Sequence, residues 1–562
     1  MSAIWLLPLA LALPLTLALL SALPIVRDRS LSLAAAAPLP GLAAALLAPR
    51  GELLVLPDLV LGASLALSET GALFLGAASL LWLAAGLYAR FYMRGKDRAG
   101  HFALFWNLCL AGNLGVFLAA DAVTFYVAFA LVSLMAFPLI IHDRSPKALK
   151  AGLAYIVLAV IGEAALLAGL MLAAGAAGGV TDIDAIADAL WLSQDRALIL
   201  ALLIAGFGIK AGLVPLHVWL PVAHPAAPVP ASAVLSGAIV KAGIFGLLIF
   251  LPLGESLTMS GGALAVLGFA GAFGAALYGL TQRDPKAVLA YSTVSQMGLI
   301  MAALGAGLAA GLEAGVLTAA AAIYALHHAL AKGALFLGVG AVQAGSGAAA
   351  LRQRAVLALI ALSVAGLPLT GGSLAKLALK APLDPFSEML ITASAFTTAL
   401  LLARALALLR PDGAAGARAP LSRSLPVLVL GAGALALPWA VWPQSGLPHG
   451  YAWQVQALVS GAGPLMLAAL VILAAQRWRL TGLQAPQGDL LATAWTALEI
   501  SSALAGAMAK RLADALPQPG GRSARRLMMS AGEMAHRIER VLANRLASLM
   551  LLLVLITAAL AL

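Results

Sequence analysis

Cysteine is nearly missing from this chain. Cys109 stands alone among 562 residues and lies in an apolar stretch, so no intrachain disulfide, iron–sulfur cluster or cysteine zinc site can form. Charge is scarce too, at 10% of residues against 62% hydrophobic, with a mean hydropathy of +1.00. That balance excludes a stack of soluble domains, because too little polar surface exists to cover them. No CxxCH haem attachment, Walker A loop or strand-turn-helix GxGxxG unit occurs. The sequence therefore names no cofactor, and it argues against nucleotide-driven pumping by this chain alone.

What is present is a succession of apolar runs. Roughly sixteen are long enough to cross about 30 Å of hydrocarbon. They begin near Ile4, Leu31, Ala72, Phe102, Ala122, Ala151, Ala197, Ala231, Gly262, Val288, Gly315, Ala355, Leu390, Leu425, Leu458 and Leu546. The chain is predicted to be an all-α, polytopic membrane protein. Its first run has no basic residues before it and reads as a retained helix rather than a cleaved signal.

The net charge of +11 might suggest nucleic acid, but the basic residues mark membrane topology instead. With the N-terminus outside, Arg90, Arg94, Lys96 and Arg98, then Arg144, Lys147 and Lys150, then Arg283 and Lys286, then Arg352 and Arg354 all fall in cytoplasmic loops. Opposite loops carry Asp182, Asp184, Asp188, Glu255 and Glu313. Both termini are expected on the periplasmic side of a cell inner or plasma membrane. After Arg479 the pattern changes: Leu490 to Leu516 and Ser523 to Arg545 look amphipathic. They are expected to lie along the cytoplasmic interface, the alternatives being a small soluble cap or docking on another subunit.

Lys210, Lys241, His328, Lys332 and Lys376 sit deep in successive apolar runs. Removing an ammonium from water costs several kcal/mol, so such groups face a wet cavity or a partner, and a proton or ion path is the default reading. Pro215 follows Lys210 by five residues, and Gly371-Gly372 precede Lys376 by four. Both helices are predicted to break there, freeing carbonyls to solvate the charge. His328 and Lys332 are four apart and share a helix face. His327 reads as packing, and Lys380 and Arg404, near helix ends, as snorkelling outward. Glu163 is the one carboxylate deep in a run, and it requires a cation or a proton. Lys210 is its candidate ion-pair partner. His217 and His224 have no third ligand nearby, so metal binding is not expected. With Pro225, Pro228 and Pro230 they mark an irregular link, either a gate or proton entrance or a plain hinge, with Asp284 and Lys286 at the same side.

These stretches resemble the antiporter-like subunits of respiratory complex I, Mrp-type cation/proton antiporters, and the membrane arms of hydrogenase-4 and formate hydrogenlyase. The resemblance is carried by GIKAGLVPLHVWLPVAHPAAPVPASAVLSGAIVKAG at 208–243, QRDPKAVLAYSTVSQMG at 282–298, HALAKGALFL at 328–337 and GLPLTGGSLAK at 366–376. It implies two inverted five-helix repeats with broken helices 7 and 12, Lys210 and Lys376 at the breaks, Lys241, His328 and Lys332 on the axis joining them, and a lateral amphipathic helix. The expected organisation is helices 1–3 in 1–100, the first repeat in 101–255, the second in 256–411, helices 14–15 in 412–479, an interfacial segment in 480–545 and a last helix in 546–562. Two departures stand out. Ala130 occupies the place of the family's helix-5 glutamate, and Val222 that of an acidic residue.

The implied function is proton translocation, without redox chemistry of its own, as a subunit of a complex I-like or hydrogenase-4-like oxidoreductase. Its partners would be other membrane subunits, lipid and a peripheral redox arm, not nucleic acid. The alternatives are a subunit of an Mrp-like Na⁺(K⁺)/H⁺ antiporter or a transport-inactive membrane scaffold.

Overall fold

Lipid offers no partner to a bare peptide group, and helices satisfy the backbone within one segment. The computed structural model follows that rule; it describes residues 3–23, 27–59, 62–412 and 421–478, with 484–486, 488 and 490. Fifteen helices among the described residues are long and apolar enough to cross a membrane. They are α1 (Ala3–Ala22), α2 (Ser30–Leu47), α3 (Glu69–Tyr92), α4 (Ala99–Leu118), α5 (Ala122–Ile140), α6 (Pro146–Ala176), α7 (Arg196–Ala226), α8 (Val229–Phe250), α9 (Thr258–Leu280), α10 (Pro285–Ala310), α11 (Ala314–Gln343), α12 (Gly347–Ala365), α13 (Pro385–Leu408), α14 (Leu421–Ala440) and α15 (Val455–Arg477). They fall where the first fifteen apolar runs begin. The amphipathic segments and the last run lie outside the described residues, apart from Leu490. The strands are a short antiparallel hairpin pairing Leu54–Leu56 with Ala63–Leu65.

Helix starts are written in the sequence. Ser145, Asp284 and Asp384 each cap a helix whose first residue is proline: Pro146, Pro285 and Pro385. The side-chain oxygen satisfies amides that would otherwise be orphaned, and proline has no amide to lose there. Asp121 caps α5 in the same way, accepting from Val123 and Thr124.

Among the described residues two helices are broken beside a buried lysine, apart from the turn at 35–38 that interrupts α2. In α7 the regular helix stops at Ala211, Gly212 adopts a left-handed conformation, Val214-Pro215 is cis, and the chain resumes through a 3-10 turn at Leu216–Trp219. After α12 the chain turns at Gly366, also left-handed, and re-enters as a short helix, Gly371–Lys380. A side chain at Gly372 would strike the Ser363 carbonyl and His327, so only glycine lets this leg pack so closely. Helix α8 carries a third irregularity, a π-helical turn at Leu235–Ile239. Helix α10 is buried throughout 287–305, whereas α15 lies mostly on the outside of the bundle.

Candidate functional site

Every ionisable residue singled out at depth is buried in the bundle: Lys210, Lys241, His328, Lys332 and Lys376. The structure brings the middle three together. The π turn leaves the Ser236 carbonyl to accept from Lys241 Nζ at 2.6 Å, and the same amine lies 2.6 Å from His328 Nδ1. Ser236 and Thr293 share a hydroxyl–hydroxyl bond of 2.7 Å. Thr293 also donates to the Leu289 carbonyl at 3.0 Å, and that carbonyl accepts from Lys332 Nζ at 3.0 Å. The two lysines therefore lean on one polar cluster contributed by α8, α10 and α11. A group held between two such partners can gain or lose its proton as a neighbouring charge changes.

At the first break Lys210 Nζ donates to the Tyr155 hydroxyl at 3.4 Å and faces the Phe129 ring, 5.4 Å from its centroid. Tyr155 in turn donates to the Ser133 carbonyl at 2.7 Å. No Lys210–Glu163 contact falls within the 4.0 Å of an ion pair among the described residues. Glu163 is buried near Lys210, and its Oε2 has no hydrogen-bond partner. Ala130 brings no carboxylate to this site. On the side where α5 and α7 begin, Phe207 stacks on Phe250 and meets Phe125 and Phe129 edge-on, at centroid distances of 5.7–5.8 Å.

The second break is polar. Lys376 Nζ donates to the Ala365 carbonyl at 3.1 Å and to Ser394 Oγ at 3.5 Å. His327 bonds Ser363 Oγ at 3.0 Å, and that oxygen accepts from the Gly372 amide at 3.2 Å. This fits the reading of His327 as packing. Lys380 is corrected: it does not snorkel, since it is buried against Glu388 at 3.0 Å and Thr392 at 3.0 Å. Arg404 likewise turns to protein, donating to the Gln282 carbonyl at 3.1 Å. Asp384, at the surface end of α13, is held below the usual carboxylate range by hydrogen bonds from Ser387 and the helix amides.

On the opposite side, Lys286 Nζ reaches the Ala227 carbonyl at 2.7 Å, in the proline-rich link. Asp284 caps α10 and lies 4.0 Å from Lys147. His217 is buried in the 3-10 turn. His224 is fully buried, stacks on Phe336 at 4.6 Å, and has no hydrogen bond at either ring nitrogen. No cluster of three metal-binding side chains occurs among the described residues.

Sequence reading missed the neutral groups. Tyr324, one turn before His328 on α11, donates to Gln296 Oε1 at 2.6 Å, and Gln296 Nε2 donates to Thr398 at 3.0 Å. This string leads from the central cluster towards α13. Ser236 and Thr293 were missed because a short hydroxyl side chain in a membrane helix commonly bonds its own backbone and leaves no periodic signal, and Tyr155 because it reads as an aromatic in an apolar helix.

The arrangement of two broken helices and a central amine–imidazole pair can be set beside known proteins. The family model described as NADH:quinone oxidoreductase/Mrp antiporter, TM matches residues 119–401, just over half of the chain. The chain belongs to this family. Among its relatives, hydrogenase-4 component B of Escherichia coli (strain K12) is 36% identical over 276 residues, which is 47% of this chain and 41% of that protein. A putative antiporter subunit, mnhA2 of Staphylococcus aureus (strain MRSA252), is 34% identical over 329 residues, covering 53% of this chain and 40% of the relative. The chain thus spans about two fifths of the length of these relatives. Among solved structures, the Mrp complex from Dietzia sp. DQ12-45-1b contains a chain that aligns with a TM-score of 0.66 at 21% identity, covering 82% of this chain and 99% of that one. The membrane-bound sulfane sulfur reductase, an archaeal respiratory membrane complex, gives 0.64 at 21%, with the same coverage. Those two likenesses are of fold.

Proposed function

We propose that this antiporter-like chain translocates protons, as one subunit of a multisubunit membrane redox complex of the complex I or hydrogenase-4 kind. The observation that carries the reading is the 2.6 Å contact between Lys241 Nζ and His328 Nδ1, buried at the crossing of α8 and α11. Two basic nitrogens that close share one proton more readily than they hold two, so protonation of either drives the other to release. Lys210 and Lys376 supply the ends of the route, Lys332 a second central site, and Glu163 a carboxylate beside Lys210. His217, His224, Asp284 and Lys286 stand where protons would enter from the cytoplasm, in the orientation given by the basic loops. The 101–255 and 256–411 segments would act as paired halves, each around one broken helix. Energy must come from elsewhere, since no redox or nucleotide motif is present; a peripheral redox arm and further membrane subunits would supply it.

The 34% identity to an mnhA2 antiporter subunit favours a second reading, exchange of Na⁺ or K⁺ for H⁺ in an Mrp-like assembly. In that case Glu163 would be the carboxylate available to a cation. A transport-inactive scaffold would leave the buried amines without a role.

Proton flux in proteoliposomes holding the complex purified with the full chain, driven by a potassium diffusion potential, tests the assignment. Lys241→Ala should lower flux by about 100-fold, in the range for loss of a positioned proton carrier. Unchanged flux in Lys241→Ala and in His328→Ala would reject it, and dependence on added Na⁺ would favour exchange.

A further inference from the structure

Lys376 is not the last ammonium on its helix. Lys380 lies one turn on, at the end of the Gly371–Lys380 leg, and is 5% exposed. Its amine is paired with Glu388 Oε1 at 3.0 Å and donates to Thr392 Oγ1 at 3.0 Å. Glu388, Thr392 and Ser394 rise along one helix, α13, and Ser394 is the residue that accepts from Lys376. A cavity of about 20 Å³, room for about one water, adjoins both lysines and Thr392 and is bordered by Ser460 and Gly461 of α15. The side chain of Lys380 is 6% exposed and that of Glu388 38%. Polar groups therefore run from a dry amine to a carboxylate that reaches the surface, in the first turn of α13 beside the Asp384 cap.

Building on the proton-translocation reading, we propose that Glu388 is the outer exit carboxylate of this route and that Lys380 is its latch. An N–H bond of the Lys376 ammonium breaks, and an O–H bond forms on Glu388, the proton leaving through the cavity that Lys376, Lys380 and Thr392 line and reaching the carboxylate one turn before Thr392 on α13. The neutral carboxyl no longer attracts Lys380, whose charge now stands unopposed one turn from Lys376 and repels a returning proton. The Glu388 O–H then breaks, the proton passes to water, and the carboxylate closes again on Lys380. No electrons are exchanged. The pair acts as a valve: it opens on outward delivery and resists back-flow.

The same proteoliposomes separate this proposal from the reading beneath it. Lys376→Ala tests the route itself, and unchanged flux there removes both. With Lys376→Ala impaired, Glu388→Gln should lower flux by about tenfold, and Glu388→Asp, which keeps a carboxylate, should lose less than Glu388→Gln. Wild-type flux in Glu388→Gln would overturn the exit role. Where Glu388→Gln does not accumulate, the double swap Lys380→Glu with Glu388→Lys decides. It keeps the ion pair but moves the carboxylate inward, so an exit carboxylate requires flux to stay low. Full restoration by the swap would mean that the pair only braces α13 against the broken helix.

Discussion

The two broken helices carry the same central residue in opposite surroundings. Lys210 is held by one tyrosine hydroxyl at 3.4 Å and faces the Phe129 ring, which on the side where the odd-numbered helices begin belongs to a cluster with Phe207, Phe125 and Phe250. Lys376 is held by a carbonyl and a serine, borders a cavity, and on that same side meets an ammonium–carboxylate pair. Aromatic packing excludes water, whereas hydroxyls and charges recruit it. Towards that face one half is thus aromatic and the other polar, and on the proposed route the polar half is the one that discharges there. The alanine at position 130 belongs to this contrast: without a carboxylate on α5, the first lysine has only Tyr155 and the more distant Glu163 to hold its charge.

The comparison is most exposed to removal of the two lysines. Lys376→Ala should cut flux by about 100-fold and Lys210→Ala by about tenfold, since only the former empties the discharging half. Equal losses, read by an internal pH dye, would erase the asymmetry. A smaller effect is expected from opening the aromatic plug. Phe207→Ala should raise passive proton leak several-fold under an imposed pH step with no redox turnover, and a leak equal to wild type would mean that the rings do not seal this half. The smallest effect concerns the anchoring of α13. Asp384→Ala removes a helix cap and should cost about 1 kcal/mol of stability, measured by thermal unfolding in detergent. The folded carboxyl titrates below its unfolded value. Its contribution is therefore fully present above an unfolded pKa of about 3.9 and is lost as pH falls through the lower folded value. The difference between variant and wild type should hold from neutral to mildly acid pH and close only in strong acid.

Much of the architecture was legible because lipid imposes simple rules. Apolar length marked the spans, and Pro215 and Gly371-Gly372 marked the breaks. The buried amines were legible because an ammonium at that depth is costly and rare. Their partners were not. Tyr155 was hidden as an aromatic in an apolar helix, and Gln296 as an amide in a helix read by motif. Lys380 and Arg404 misled because their place near helix ends suits snorkelling, while Glu388 and the Gln282 carbonyl, which hold them, come from segments 8 and 122 residues away. Depth in a helix can be counted along the sequence; which face meets which neighbour cannot.

The widened turn at Leu235–Ile239, where the Val240 amide reaches back to the Leu235 carbonyl, fixes the length of α8. Losing one residue there would restore ordinary winding and swing everything beyond it by about 100°, carrying Lys241 away from His328 without altering either residue. Descendants of this chain can exchange side chains in that stretch far more freely than they can lengthen or shorten it.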